Sequence, residues 1–98
     1  MTTERSVRFA EEFFDRLEVL LPEERNAGGV PSVTDFIAFE IPALRDRLAL
    51  DAIGATVATS LHDVRACIAT GVLVPALVVY VVINDHDVDV FWVSLDLG

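Results

Sequence analysis

The C-terminal third of the chain has a pattern of apolar and polar residues that predicts two strands. An apolar run covers residues 72–83 and stops at the polar tetrapeptide Asn84-Asp85-His86-Asp87. Apolar and polar residues then alternate over residues 88–95. A continuous apolar run is typical of a strand buried on both faces, and alternation is typical of a half-buried strand. We therefore expect a C-terminal hairpin closed by a polar turn.

The start of the chain has the three- and four-residue spacing of a helix. One apolar stripe is formed by Val7, Ala10, Phe14, Leu17 and Leu21. Pro22 disfavours the α conformation in the residue before it and so ends the predicted helix. A short opening strand over residues 6–9 is the alternative, because Val7 and Phe9 alternate with polar neighbours there.

A second helical pattern follows a connector over residues 22–32. Its apolar stripe consists of Ile37, Ile41, Leu44 and Leu48. Ser32 can cap this helix, with Asp35 three residues later as a weaker form of the capping box. Pro42 lies inside the pattern, which predicts either a kink or two abutting helices.

Residues 60–70 fit both a helix and a strand. Ser60 and Gly71 have the character of helix ends, whereas Val64, Ala66 and Ile68 alternate as in a strand. A strand is favoured, because an isolated two-stranded hairpin is marginally stable. We therefore predict a single α+β domain over residues 1–98. Its N-terminal helices pack on one face of a small antiparallel sheet of three or four strands that ends in the C-terminal hairpin.

Composition adds an expectation of partners. The chain is 53% hydrophobic with a mean hydropathy of +0.50, which is more apolar material than a domain of 98 residues can easily bury. Part of this excess is expected at a contact with a protein partner or a second copy. The net charge of -9 repels phosphate and disfavours nucleic-acid binding.

The location of the protein is predicted from two further features. Cys67 is the one cysteine, so no internal disulfide can form, and no signal peptide is recognisable. Both features predict a cytoplasmic protein. The apolar run over residues 72–83 is too short to cross a bilayer, which needs about 20 residues, so no membrane association is expected.

Three segments together resemble the RelE/ParE superfamily of bacterial toxins: "SVRFAEEFFDRLEVLLPEE", "LHDVR" and "ALVVYVVINDHDVDVFWVSLD". They give the order helix, Leu-Pro, helix, strand with Val-Arg, then strand–turn–strand. The resemblance implies that Arg65 contributes to a basic face and that Tyr80 is the aromatic residue on the following strand. Members of the superfamily are either ribonucleases or proteins that act by binding a protein target.

The chain departs from this pattern at its basic positions. Leu77 and Val81 stand where the superfamily carries arginines around the tyrosine, and Asp96 stands near the usual basic end. Ribonuclease chemistry needs basic groups to hold phosphate. The resemblance therefore predicts a toxin–antitoxin-type protein that acts through protein–protein contacts without ribonuclease activity.

The sequence leaves open whether the protein is a catalyst and favours a role without catalysis. The alternative is a stand-alone acidic interaction module, such as an inhibitor or immunity protein that covers a basic partner; a small-molecule enzyme is a third possibility.

Two candidate sites have simpler structural interpretations. In "NDHDVD", the spacing of the aspartates matches the start of a calcium loop, but Val90 stands where that loop needs glycine. A solvated turn accounts for the same residues, so no metal and no cofactor are expected. His62 and Cys67 are five residues apart, which puts them on different faces of either a helix or a strand.

The hairpin supplies the predicted interface. The apolar run has no polar residue on either side of its pleat, so one face of the strand would lie in water. We expect a homodimer or hetero-complex that buries Val79, Val81 or Phe91 between chains. Trp92 and Phe91 alternate, so one of these rings faces outward and is a candidate interface anchor.

Overall fold

One mixed sheet carries all of the strands in the described part of the chain, and the helices cover one of its faces. The structure, a computed structural model, describes residues 4–24 and 29–96. The strands in these residues are β1 (Ser6–Phe9), β2 (Val57–Ala58), β3 (Arg65–Ala69), β4 (Ala76–Ile83) and β5 (Asp87–Asp96). The helices are α1 (Glu11–Leu20), α2 (Val33–Phe39) and α3 (Ile41–Asp51). The predicted α+β fold with helices on a sheet is confirmed.

The sheet is larger and less regular than the sequence predicted. Its strand order is β1-β5-β4-β3-β2. β1 runs parallel to β5, and the other neighbours are antiparallel. The prediction of a purely antiparallel sheet of three or four strands is therefore wrong in both respects. Parallel pairing became possible because the three helices form a long crossover between β1 and the rest of the sheet.

The opening segment follows the alternative interpretation. Residues 6–9 form β1, and the helix begins only at Glu11. Val7 and Phe9 lie opposite Val88 and Val90 of β5, so a partner strand is available to this β-branched and this aromatic residue, both of which favour strands. A helical stripe was predicted from the start of the chain because Val7 stands seven residues before Phe14 of α1, a spacing that also fits one face of a helix.

The two predictions for the middle helices are confirmed. Ser32 Oγ accepts the Asp35 N–H at 3.1 Å, and Asp35 Oδ2 accepts the Ser32 N–H at 3.0 Å. α2 and α3 abut at Glu40. Pro42 lies in the first turn of α3, where its missing N–H removes no helical hydrogen bond.

The predicted strands in the second half are present with different bounds: the first two are shorter than predicted, and β5 is slightly longer. Residues 65–69 form a strand, as favoured, and the hairpin is closed by the Asn84 N–H donating to the Asp87 carbonyl at 2.8 Å. The apolar run becomes a strand only from Ala76. Before it, Glu40 Oε1 and Oε2 accept the N–H groups of Val72 and Val74, which holds this connection out of the sheet.

The core lies between the helices and one face of the sheet. Its sheet side consists of Cys67, Leu77, Val79, Val81, Val88, Val90 and Val93. The helices contribute Phe13, Leu17, Phe36, Ile41, Leu44 and Leu48. β4 is thus buried on one face only, so the prediction of a strand buried on both faces is wrong.

The burial of β4 corrects half of the predicted interface. Val79 and Val81 are 0% exposed beneath the helices, so neither side chain can reach a second chain. The sequence showed that β4 had two apolar faces, but it did not show which face the helices would cover.

Candidate functional site

The sheet face opposite the helices is apolar over β2, β3, β4 and the second half of β5, where it remains uncovered in the described residues, and it carries ion pairs of Arg8 with Asp87 and Asp89 at the β1 end. Register alignment places Val57, Ala66, Tyr80 and Trp92 in one row across four strands. Val78 and Val82 flank Tyr80 along β4, and Ile68 lies beside Val78. We define the open face by its larger side chains: Val57, Ile68, Val78, Tyr80, Val82 and Trp92.

Several side chains of the open face are well exposed. Val57 is 52% exposed, Ile68 is 60% exposed and Trp92 is 41% exposed, while the central side chains are half-buried by their neighbours. Apolar groups that are contiguous and exposed on this scale mark interaction sites in monomeric proteins. Tryptophan is among the residues that most often anchor such contacts.

A bulge in β5 directs Trp92 onto the open face. Val81 pairs with Val90 and Tyr80 pairs with Trp92, so Phe91 is an extra residue in β5. The alternation that places Val88 and Val90 in the core is thereby shifted by one residue, and Val93 continues the core in place of Trp92. Of the two predicted rings, Trp92 is the exposed one, and Phe91 is half-buried at the bulge.

Two of the three carboxylates of "NDHDVD", those of Asp87 and Asp89, are engaged in local contacts. Arg8 Nε donates to Asp89 Oδ1 at 3.0 Å, and Asn84 Nδ2 donates to Asp87 Oδ1 at 2.6 Å. Asp85 is exposed. Within residues 4–24 and 29–96, no group of three His, Cys, Asp or Glu side chains is arranged to hold a metal ion.

The two residues suggested by the family resemblance are not brought together. Arg65 pairs with Val81 across the ladder, and Tyr80 pairs with Ala66 on the opposite face. The Arg65 guanidinium donates to Thr56 Oγ1 at 2.7 Å and to the Thr56 carbonyl at 3.0 Å. A third hydrogen bond reaches the Ile53 carbonyl at 3.4 Å. Arg65 therefore ties β3 to the segment that follows α3.

A groove of about 870 Å³ lies where the β4–β5 turn meets the segment before β3. Its charged lining is mixed: Arg5, Arg65, Asp63 and Asp85. Arg5 Nε already donates to the Asn84 carbonyl at 3.0 Å. Two carboxylates beside two guanidinium groups give this groove no strong preference for an anion.

His62 and Cys67 do not form a catalytic pair. The His62 side chain is exposed in the groove, whereas Cys67 is fully buried opposite Val79. Burial raises the pKa of the Cys67 thiol, against a smaller opposing effect of Arg47, so the nucleophilic thiolate is disfavoured.

The sequence interpretation missed Ile68 and Val57 as surface residues. The alternation of Val64, Ala66 and Ile68 was a usable signal, because it fixed the relative faces of β3. It did not reveal that the helices would cover the other face of the sheet and leave the face that carries Ile68 exposed. Val57 had no signal, since its segment was ambiguous.

Comparisons with known proteins add no relative. Neither a protein-family model, nor a curated protein, nor a solved structure is significantly similar to the chain. A separate structural finding concerns membranes: the described helices are all too short or too polar to span a bilayer.

Proposed function

We propose that this protein is a toxin–antitoxin-type binding domain that acts through protein–protein contacts of its sheet and has no ribonuclease activity. The observation that carries the proposal is the open face. Val57, Ile68 and Trp92 are exposed there, around the half-buried side chains at the centre of the sheet. A cytoplasmic partner protein that covers this face removes apolar area from water, which is the main driving force of association.

Two observations support the absence of ribonuclease chemistry. Leu77 and Val81, which replace arginines of the resembling superfamily, are buried in the core and leave no room there for a basic group. The remaining arginine of that pattern, Arg65, has its guanidinium bound to backbone and hydroxyl oxygens within the chain.

Two other occupants fit parts of the same surface. The charge of -9 favours a basic partner, as expected for an acidic inhibitor or immunity protein. A second copy of the chain, forming a homodimer, would match the apolar character of the open face. The identity of the protein encoded beside this gene separates the first possibility from a toxin–antitoxin pair.

Co-expression with the product of the neighbouring gene tests the binding role. We expect a complex whose mass, measured by light scattering after size exclusion, exceeds that of either chain. Ile68→Glu should weaken the complex by about tenfold or more, since it places a charge in the contact. Leu50→Glu is the matched control, because Leu50 is equally exposed but lies on α3. Equal binding by both variants would argue against the open face.

The catalytic part of the proposal has its own test. The protein is incubated with translating ribosomes, and messenger cleavage is mapped. We expect no codon-specific cuts. Cuts that are present with the wild-type protein and disappear with Arg65→Ala, while Arg65→Ala remains folded by circular dichroism, would overturn this part.

A further inference from the structure

The outer half of β5 has a free edge. β1 pairs with β5 only from Asp87 to Val90, and the Ala10 N–H closes this contact by donating to the Val90 carbonyl at 2.8 Å. Beyond that point β5 continues to Asp96 with β4 on one side and, among the described residues, no strand on the other. Such an edge is a template for pairing with another chain.

The direction of the backbone groups at this edge follows from Arg16. Its Nε donates to the Val93 carbonyl at 3.4 Å while its guanidinium lies 4.9 Å from the centre of the Trp92 ring. The Val93 carbonyl therefore points away from β4. In an antiparallel strand, the N–H and the carbonyl of one residue point to the same side. The Val93 N–H therefore also points away from β4, as do the N–H and the carbonyl of Leu95, two residues later.

Different groups lie on the two sides of this edge. Trp92 is on the open face, and α1 with Arg16 is on the face that packs against β5. A strand added beside β5 would direct its alternate side chains toward Trp92 and toward α1. Arg16 covers the edge in the free protein, which is one of the ways in which proteins limit edge-to-edge pairing.

The charge of α1, the helix that packs against β5, selects the occupant. α1 has four carboxylates, on Glu11, Glu12, Asp15 and Glu18, and one guanidinium, on Arg16. A second copy paired along the same edge would bring another α1 with the same excess of negative charge. A basic segment would instead be attracted to it.

We propose that the free edge of β5, at Val93 and Leu95, binds a basic, extended segment of a protein partner as an additional strand. This deepens the proposed function and rests on it, since it specifies how the partner of this domain is bound. The segment accepts from the N–H groups of Val93 and Leu95 and donates to their carbonyls, displacing Arg16 from the Val93 carbonyl. Its apolar side chains, on one side of the added strand, contact Trp92, and its basic side chains, on the other side, face α1.

Three synthetic eight-residue peptides test the proposal with the full chain. The first alternates basic residues and valine, Lys-Val-Arg-Val-Lys-Val-Arg-Val. The second replaces each basic residue by Glu, and the third is the basic peptide with N-methyl groups along one edge. The basic peptide should slow the hydrogen exchange of the Val93 and Leu95 amides by about tenfold or more, as strand pairing protects an edge amide. The other two peptides should not.

A pair of variants locates the contact. Trp92→Lys should weaken binding of the basic peptide by about tenfold, because it removes an apolar contact and adds a like charge. Leu50→Lys, a change of the same kind on α3, should leave binding unchanged. Exchange that is unaffected by the basic peptide, or equal weakening by both variants, would overturn the proposal. Protection of Val93 and Leu95 in the peptide-free protein, together with a dimeric mass, would assign the edge to a second copy and also overturn it.

The two proposals fail in different ways. If the peptide leaves the β5 edge unprotected while the partner complex still depends on Ile68, only the strand-addition mode is wrong. If no partner complex forms but the peptide protects Val93 and Leu95, the edge binds basic strands and the proposed function is wrong.

Discussion

Gly71 lies where the connection between β3 and β4 passes over a buried carboxylate. Glu40 is only 2% exposed, and its carboxylate oxygens accept the Val72 N–H at 2.6 Å and the Val74 N–H at 3.3 Å. A Cβ on Gly71 would collide with Glu40 Oε2 and lie 2.6 Å from the Val74 carbonyl oxygen. Glycine is therefore required by close approach, at the place where the sequence suggested the end of a helix.

We predict that Gly71→Ala lowers the free energy of unfolding by about 1–3 kcal/mol, as overpacking against fixed groups does. Urea unfolding followed by circular dichroism measures this loss. Gly54→Ala is the control, since the atoms nearest to its Cβ would belong to the exposed carboxylate of Asp51, which can move aside at the cost of one exposed hydrogen bond from the Gly54 N–H. If both substitutions have the same small effect, the connection at Gly71 is looser than described.

Cys67 gives the protein a pH-dependent stability at alkaline pH. Burial raises the pKa of its thiol in the folded state above that of an exposed cysteine, about 8.5. The unfolded chain therefore loses this proton first as the pH rises. The stability contribution is complete below pH of about 8 and is lost progressively as the pH rises from there through the folded pKa. We predict that urea midpoints fall more steeply between pH 8 and 10, as approximate limits, in the wild type than in Cys67→Ala. Parallel curves for the two proteins would contradict this.

At the scale of the element, the bulge decides which residues of β5 reach the core. With Phe91 as the extra residue, Val88 and Val90 before it and Val93 and Leu95 after it all face the helices. Removal of Phe91 would leave a strand that alternates regularly with the same residues inward. The bulge is thus an insertion into an otherwise regular amphipathic strand.

We predict that deletion of Phe91 preserves the fold, because each of the remaining side chains of β5 stays on the same face of the sheet. Deletion of Ser94, three residues later in the same strand, would move Leu95 out of the core. It should destabilise the protein by about 1 kcal/mol more than the Phe91 deletion, the scale of exposing a leucine that is half-buried. Urea unfolding of the two deletion variants measures the difference. The opposite ranking would show that Phe91 itself holds the strand in place.

At the scale of the whole molecule, charge and apolar surface act in opposite directions on association. The net charge of -9 repels a second copy, while the open face attracts one. Salt weakens the repulsion and leaves apolar burial nearly unchanged. A basic partner, in contrast, is attracted by the charge, and salt should weaken its binding.

We predict opposite salt dependences for the two kinds of complex. Raising sodium chloride from about 0.05 to 0.5 M should increase any self-association and weaken binding of a basic partner, because the Debye length shrinks severalfold over this range. Light scattering after size exclusion measures the first, and calorimetric titration measures the second. Ile68→Glu should abolish the salt-promoted self-association. Partner binding that strengthens with salt would indicate an apolar contact without charge complementarity.

The sequence by itself determined the local elements whose signals lie within a few residues. Periodicity and turn residues located the C-terminal hairpin, Ser32 and Asp35 located a helix start, and Pro42 marked the place of either a kink or a boundary between two helices. These features depend on the conformational preferences of neighbouring residues, so they can be recognised without the rest of the chain.

Only the tertiary structure decided which strands pair and which face of each strand is buried. Residues 6–9 became a strand because β5 lay beside them, and the bulge at Phe91 set the face of Trp92. β4 had two apolar faces in sequence, and only the position of the helices left Val79 in the core and Ile68 of the neighbouring strand in the open. A strand carries no mark of which of two similar faces will be covered, since that depends on contacts with segments far along the chain.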